Sequence, residues 1–174
     1  MKANDREALT TPPPGSILMI EREFDAPRDR LWMTWTTPDF VMRWWGPKGF
    51  TAPVVRIALR VGGSYFLCMR SPEGKNYCNT GFYHEIIPYE RIVATQHFAD
   101  EKSNVVPATY YGLSPDFPME MLLTVTFEEK DGKTRVTVRH AGVPPGKETD
   151  DARQGWSESL DKLAAVLATS PQGE

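Results

Sequence analysis

The sequence predicts an α+β helix-grip fold, in which a curved antiparallel sheet of about seven strands wraps around a long C-terminal helix. Three observations lead to this prediction. Extended segments with alternating apolar residues occupy most of the 174 residues, two short helix patterns follow the first of these segments, and one amphipathic helix pattern ends the chain. A bent sheet and one helix cannot close completely on each other, so this fold also predicts a cavity between them.

The first strand begins at Ser16 and has one mixed face. Leu18, Ile20 and Phe24 share one face with Arg22, and the other face holds Glu21 and Glu23 together with Ile17 and Met19. An arginine among apolar neighbours must form an ion pair or reach solvent, and the mouth of a cavity satisfies either need. Arg22 is therefore a candidate ligand contact, with a structural ion pair as the alternative.

Two short helices follow the first strand, and their ends are marked by helix-capping residues. Asp25 or Ala26 is placed to cap the first helix, whose first turn then holds Pro27, where the missing N–H costs nothing. Thr37 is placed to cap the second helix, which the dipeptide Gly46-Pro47 ends. We therefore expect two helices arranged nose to tail after the first strand.

This helical segment carries most of the tryptophan in the chain. Four of the five tryptophans lie between Trp32 and Trp45. Such rings pack either into the core or between the helices and the sheet, and the alternative is that one or two of them line the mouth of the cavity. Trp44 and Trp45 are the pair that best distinguishes these two interpretations, and Trp44 is a candidate cavity residue.

Six further segments have the alternation and composition of β-strands, with turn residues between them. The dipeptide Asp131-Gly132 predicts a tight antiparallel hairpin. The connection at residues 99–118 is long, so it is either a lid or a surface loop packed by its own aromatic residues. The predicted strands cover residues 52–59, 64–70, 77–87, 91–98, 119–129 and 134–141.

Cys68 and Cys78 are the only cysteines, and their spacing fits neither a zinc site nor a redox pair. They flank a predicted hairpin turn at residues 71–75. A five-residue loop places the two cysteines opposite each other, whereas a loop shorter by one residue sends them to opposite faces. We expect free thiols, because we expect a reducing, cytoplasmic location.

The last element is a long amphipathic helix that Asp150 is placed to cap. Trp156, Leu160, Leu163 and Leu167 follow at helical spacing and form one apolar stripe. Gly155 lies within this helix, where glycine costs roughly 1 kcal/mol relative to alanine, so it indicates a close approach by a strand or ligand. The folded domain is predicted over residues 16–168, with polar tails at 1–15 and 169–174.

Composition narrows the possible partners. The formal net charge is -3 and the sequence pI is about 5.7, without a run of basic residues, which argues against nucleic acid as a partner. No segment has the length and apolarity of a membrane span or a signal peptide. We expect one soluble cytoplasmic domain, a monomer or a homodimer, with no metal and no cofactor.

Five blocks, in this order, carry a family resemblance. The chain resembles the heat-shock-protein-90 ATPase activator homologues of the START, pollen-allergen and polyketide-cyclase (SRPBCC) superfamily from about Ser16 to Ala168. The resemblance implies a helix-grip fold, and the family includes a co-chaperone domain, presumed ligand carriers and many bacterial proteins of unknown activity. The blocks are residues 21–27 (EREFDAP), 44–47 (WWGP), 60–65 (RVGGSY), 88–93 (PYERIV) and 155–160 (GWSESL).

Function is open between three hypotheses. The first is a binder of a hydrophobic small molecule or lipid, and its predicted cavity residues are Arg22, Trp44, Tyr65, Tyr111, Met121, Leu123, Val125, His140, Trp156 and Leu160. The second is a stress or chaperone accessory module that contacts a protein through an exposed Trp44-Trp45 surface. The third is a cyclase- or dehydratase-type enzyme that uses His140 or a buried carboxylate as acid–base. His140 is otherwise a structural histidine, as we expect of His84 and His97.

Overall fold

The computed structural model describes residues 16–169. The tails predicted at 1–15 and 169–174 lie outside this range, apart from Thr169, which ends the C-terminal helix. The elements are β1 (Ser16–Phe24), α1 (Arg28–Thr36), α2 (Pro38–Trp44), β2 (Thr51–Ile57), β3 (Ser64–Arg70), β4 (Asn76–Ile87), β5 (Arg91–Ala99), a 3-10 turn (Ala108–Tyr111), β6 (Met121–Lys130), β7 (Lys133–Val143) and α3 (Lys147–Thr169).

Within the described residues, seven strands form a single curved antiparallel sheet in the order β1-β7-β6-β5-β4-β3-β2. The long helix α3 packs against β1 and β7, and the short helix α2 packs against β2 at the other edge. Leu160 and Leu163 of α3 are completely buried in the main core. The predicted helix-grip fold and its two short helices after β1 are therefore confirmed.

The alternation predicted for β1 is present. Leu18, Ile20 and Phe24 are buried, whereas Ile17 and Met19 on the other face are exposed. Arg22 lies on the same face as these buried residues, and its guanidinium reaches Asp161 on α3. A long cationic side chain on an edge strand can cover apolar surface in this way while its charged end stays near solvent.

Helix boundaries follow the sequence signals with small shifts. The N-cap of α1 is Pro27 itself and no side chain caps it, so the predicted cap at Asp25 or Ala26 is wrong by one or two positions. Thr37 and Pro38 occupy the predicted N-cap and N1 positions of α2. The helix α3 begins at Lys147 because the strand ends at the Pro144-Pro145-Gly146 segment, so Asp150 lies in the first turn and is not the cap.

The two predicted hairpins form with the expected turns. Asp131 and Gly132 both have positive φ angles, 55° and 78°, as a two-residue turn between right-twisted strands requires. The strands β3 and β4 are joined by the five residues 71–75, and Cys68 pairs directly with Cys78.

Cys68 and Cys78 form a disulfide, so the prediction of free thiols is wrong. The physical reason is the register of the hairpin, which places the two residues opposite each other on one face with their Cα atoms 4.1 Å apart. This face is the one opposite α3, where the cysteines pack with Phe66 and Ala99 in a separate small cluster. The cytoplasmic location, from which the free thiols were inferred, stays a prediction.

Candidate functional site

Two of the cavities that the described residues enclose lie next to each other between the sheet and the helices. The inner cavity has a volume of about 50 Å³ and lies among α1, α2 and strands β2 to β6. The outer cavity has a volume of about 380 Å³ and lies between the sheet, the N-terminal half of α3 and the long connection before β6. Only the outer cavity falls in the range of a few hundred cubic ångströms that is typical of small-molecule sites.

The inner cavity is apolar, and its tyrosines are buried. Tyr65 donates a hydrogen bond from its hydroxyl to the carbonyl oxygen of Thr95 at 2.6 Å. Burial raises the pKa of Tyr65 and of Tyr83 above the ordinary value for a phenol, so both hydroxyls stay protonated. Leu123 and Val125 of β6 complete the floor of this cavity. The inner cavity is therefore a mainly apolar, uncharged pocket within the core.

Trp45 separates the two cavities and lines both of them. It follows the last residue of α2, and the next residue, Gly46, is fastened to α3 by two hydrogen bonds. The buried Ser159 hydroxyl accepts from the Gly46 N–H at 2.8 Å and donates to the Gly46 carbonyl at 2.9 Å. Lys162 adds donors to the carbonyls of Pro47 and Phe50. Trp45 is thus held in place by the helix on which it rests.

The tryptophans form one continuous aromatic cluster. Trp35 contacts Trp44 with ring centroids 4.7 Å apart, Trp44 contacts Trp45 at 5.6 Å, and Trp45 contacts Trp156 at 5.5 Å. Trp32, Trp35 and Trp44 are buried, and the indole of Trp44 donates to the carbonyl of Thr34. Most of these rings are therefore core, as one of the two interpretations predicts, while Trp45 and Trp156 line the outer cavity.

The outer cavity combines an apolar wall with a buried histidine. His140 on β7 and Trp156 on α3 face each other, and the Trp156 indole N–H donates to His140 Nδ1 at 3.2 Å. Burial lowers the pKa of His140 from 6.5 to about 4. The imidazole is therefore neutral near pH 7. Met121 on β6 lies on the same wall.

A second polar pair lies deeper, where the outer cavity meets the inner one. Gln96 on β5 lines both cavities, and its amide Nε2 donates to Asn79 Oδ1 on β4 at 3.3 Å. Both side chains are buried. Strand alternation indicates this position in the sequence, because Gln96 shares a face with Ile92 and Ala94. The cavity residues predicted from the sequence nevertheless do not include Gln96 or Asn79.

The long connection before β6 forms a wall of the outer cavity. Gly112, Leu113, Ser114 and Phe117 line it, and Phe117 packs edge-to-face on Phe98 of β5. Tyr111 anchors the segment to the sheet. A loop with its own 3-10 turn and buried aromatic anchors is ordered by packing.

Tyr111 joins the long connection to the end of the β4–β5 pair. Its hydroxyl accepts from the backbone N–H of Cys78 at 3.1 Å and donates to the carbonyl of Ala99. The Tyr111 hydroxyl thus bridges the Cys78 N–H and the Ala99 carbonyl at the end of the paired region of β4 and β5. The ring also packs on Tyr77 with centroids 5.2 Å apart.

The mouth of the outer cavity is charged. Lys147 and Asp151 form an ion pair with their charged atoms 3.0 Å apart on the first turns of α3, and Glu148 lies beside them. All three belong to the rim, since Lys147 and Asp151 are mostly exposed. Away from the rim, the buried polar side chains considered above that line the cavity are His140, the Gln96–Asn79 pair and Ser159, whose hydroxyl is bonded to Gly46.

The predicted cavity residues divide into three groups in the structure. Tyr65, Leu123 and Val125 line the inner cavity, and Met121, His140 and Trp156 line the outer one. The remaining four lie outside the linings of both: Trp44 and Leu160 are completely buried in the core, Tyr111 anchors the long connection, and Arg22 pairs with Asp161.

Arg22 forms a structural ion pair, the alternative to the predicted ligand contact. Its guanidinium Nη1 lies 2.5 Å from Asp161 Oδ1, and Nη2 donates to the carbonyl of Ser157 at 3.3 Å. Both partners are on α3, so the arginine ties the edge strand β1 to the helix. The periodicity that singled out Arg22 was correct, but periodicity cannot tell whether a neighbouring helix supplies the counter-charge.

The sequence matches one family model over most of its length. The model, described as activator of Hsp90 ATPase homolog 1-like protein, matches residues 25–168. The chain belongs to this family. The matched residues include every residue that lines the two cavities. No protein with a curated function matches the chain.

Solved structures of bacterial proteins share this architecture. A protein from Chromobacterium violaceum is 25% identical, with a TM-score of 0.73 over 88% of this chain and 98% of its own. A Silicibacter pomeroyi protein named AHSA1 is 25% identical, with a TM-score of 0.70 over 88% and 98%. An Arthrobacter aurescens protein is 22% identical, with a TM-score of 0.74 over 93% of each chain, and supports the fold alone.

The described residues contain neither a candidate metal site nor a candidate membrane-spanning helix. Across residues 16–169, no group of three or more His, Cys, Asp or Glu side chains is placed to hold a metal ion. In the same range, no helix combines the length and the hydropathy that crossing a membrane requires.

Proposed function

We propose that this chain binds a hydrophobic small molecule or lipid in the outer cavity. The observation that supports this is a 380 Å³ cavity between α3 and the sheet, lined mainly by apolar groups and reached through a charged rim. Burying an apolar molecule there gains about 25 cal/mol per Å² of apolar surface removed from water. The family's helix-grip fold supports the same function, since a sheet bent around one helix leaves such a space.

The other two hypotheses receive less support from the geometry. The proposed protein contact through Trp44 and Trp45 needs exposed rings, but Trp44 is completely buried. The proposed acid–base role of His140 needs a free lone pair, but Nδ1 already accepts the Trp156 indole N–H. Binding in the cavity requires neither exposed Trp44 and Trp45 rings nor a free lone pair on His140.

A substitution on α3 tests the proposal directly. Gly155 lines the outer cavity, and a Cβ at this position would lie 3.6 Å from Pro47 Cγ, an ordinary contact. Gly155→Leu therefore keeps the helix and extends the rest of the side chain into the cavity. We expect the neutral dye Nile red to bind the wild-type protein with one-to-one stoichiometry, and Gly155→Leu to weaken binding at least tenfold.

The matched control is Gln154→Leu, which adds the same side chain to the adjacent, exposed position of the same helix. It should bind Nile red like the wild type. Melting temperatures of both variants establish that they fold. Absence of saturable binding to the wild type, or equal binding by Gly155→Leu, contradicts the proposed function.

A further inference from the structure

Two residues that line the outer cavity each carry a buried polar atom that no protein group satisfies. Three buried side-chain atoms of the described residues have no hydrogen-bond partner: His84 Nε2, which lies outside both cavity linings, and His140 Nε2 and Gln96 Oε1. The last two residues are more than nine-tenths buried, and both line the outer cavity. Buried polar groups in folded proteins are nearly always paired, so two such atoms in one cavity indicate a bound molecule that pairs them.

The hydrogen bond from Trp156 assigns the role of His140. An indole N–H can only donate, so His140 Nδ1 must be the acceptor and carries no proton. A neutral imidazole then has its proton on Nε2. The unpaired atom of this cavity-lining residue is therefore a donor, and it requires an acceptor oxygen or nitrogen from the ligand.

The hydrogen bond to Asn79 assigns the opposite role to Gln96. Its Nε2 donates to Asn79 Oδ1, and its carbonyl Oε1 is the atom left without a partner. A carbonyl oxygen can only accept. Gln96 therefore requires a donor from the ligand, such as a hydroxyl.

The spacing of the two groups follows from the strand register. His140 on β7 is opposite Leu123 on β6, which is opposite Ala94 on β5, and Gln96 is two residues further along β5 on the same face. One strand lies between the two residues, so they are separated by roughly 10 Å across the sheet. Met121, on the strand between them, lines the same cavity. A ligand that meets both groups must therefore span an apolar floor.

The charges of the site favour an uncharged ligand. The ion-paired Lys147 and Asp151 lie at the rim, and the polar groups in the depth of the cavity are a neutral imidazole, two amides and the Ser159 hydroxyl. A buried ionised group would meet no counter-charge there, which is costly in an apolar cavity.

We propose that the outer cavity selects a neutral, mainly apolar molecule that carries a hydrogen-bond acceptor for His140 and a hydroxyl donor for Gln96 on opposite sides of an apolar body. This inference rests on the proposed function and adds the chemical class of the ligand. Aromatic ketones that carry a distant hydroxyl are compact members of the class.

A set of three related probes measures each polar contact without changing the protein. 4-Hydroxybenzophenone has both groups, 4-hydroxydiphenylmethane lacks the ketone, and benzophenone lacks the hydroxyl. One satisfied buried hydrogen bond corresponds to about a tenfold change in affinity. Equilibrium dialysis should therefore show that wild-type protein binds 4-hydroxybenzophenone about tenfold more tightly than either of the other two.

Variants assign each preference to its residue. His140→Phe should abolish the preference for the ketone, and His140→Gln, which can accept from Trp156 and still donate, should restore part of it. Gln96→Met should abolish the preference for the hydroxyl. His97→Phe is the matched control, because His97 bonds to Met119 outside the cavity, and it should keep both preferences.

Nitrogen-15 NMR of wild-type histidines gives a measurement that needs no variant. His140 should show the Nε2-protonated tautomer, and its signals should shift on addition of 4-hydroxybenzophenone but much less with 4-hydroxydiphenylmethane. A tautomer protonated at Nδ1, or wild-type affinities equal within twofold for all three probes, overturns the inference while the cavity function stands. Failure of all three probes and of Nile red to bind contradicts the proposed function itself.

Discussion

The inner and outer cavities share Trp45 and Gln96 but differ in how their polar groups are satisfied. The inner cavity holds about 50 Å³, and the Tyr65 hydroxyl on its wall is paired with a backbone carbonyl. The outer cavity holds about 380 Å³ and contains a donor on His140 and an acceptor on Gln96 that no described residue pairs. The outer cavity is therefore the larger space, and it alone is lined by His140, whereas Gln96 borders both.

The largest expected effect comes from Trp44, a core residue that lines neither cavity. Trp44 is fully buried, contacts Trp35 and bonds to Thr34, so Trp44→Ala leaves a large void and an unpaired carbonyl. We expect a loss of about 3–5 kcal/mol in the free energy of unfolding, measured with urea. The neighbouring Trp45→Ala should cost clearly less, because Trp45 is already partly exposed and borders open space. Equal losses at the two positions would mean that Trp45 is as much a core residue as Trp44.

The next effect is a pH dependence from the outer side. The pKa of His140 is about 4 in the folded chain and 6.5 when exposed, so the unfolded chain takes up a proton at a higher pH than the folded chain does. Stability should therefore be complete above pH 6.5 and fall by about 3 kcal/mol as the pH drops to about 4. His140→Gln should remove this slope, and His97→Gln should keep it. A slope that survives in His140→Gln assigns it to other groups.

A smaller effect separates stability from binding. The disulfide of Cys68 and Cys78 lies on the face opposite α3 and closes a short hairpin with a sequence separation of 10. The double variant Cys68→Ala, Cys78→Ala should lose about 2–3 kcal/mol in unfolding free energy. Nile red affinity should stay at the wild-type value. Thiol titration of denatured, unreduced wild-type protein should find no free sulfhydryl, and two titratable thiols would refute the disulfide.

The smallest expected effect is a gain. Gly155→Ala adds a methyl group that meets Pro47 at an ordinary contact distance, and alanine is the better helix former. We expect about 1 kcal/mol of added stability, seen as a higher melting temperature, with Nile red affinity changed less than threefold. Destabilisation would mean that the 45–47 segment packs against α3 more tightly than its contacts indicate.

Local patterns in the sequence were sufficient for the architecture. Strand alternation in β1, the Asp131-Gly132 turn and the apolar stripe of α3 each depend on neighbours within a few residues, and all three are present in the structure. The same local reasoning placed Met121, His140 and Trp156 toward the cavity, and the structure brings them together at the outer cavity.

Contacts between distant parts of the chain decided the site. The bond from Trp156 to His140 joins an α3 residue to β7, and the bonds between Ser159 and Gly46 connect positions 113 residues apart. These determine that Trp45, and not Trp44, borders the cavities, and that His140 is a donor. Periodicity assigns a side chain to a face, but the partner across the core depends on how the sheet bends around α3, and only the tertiary structure determines that bend.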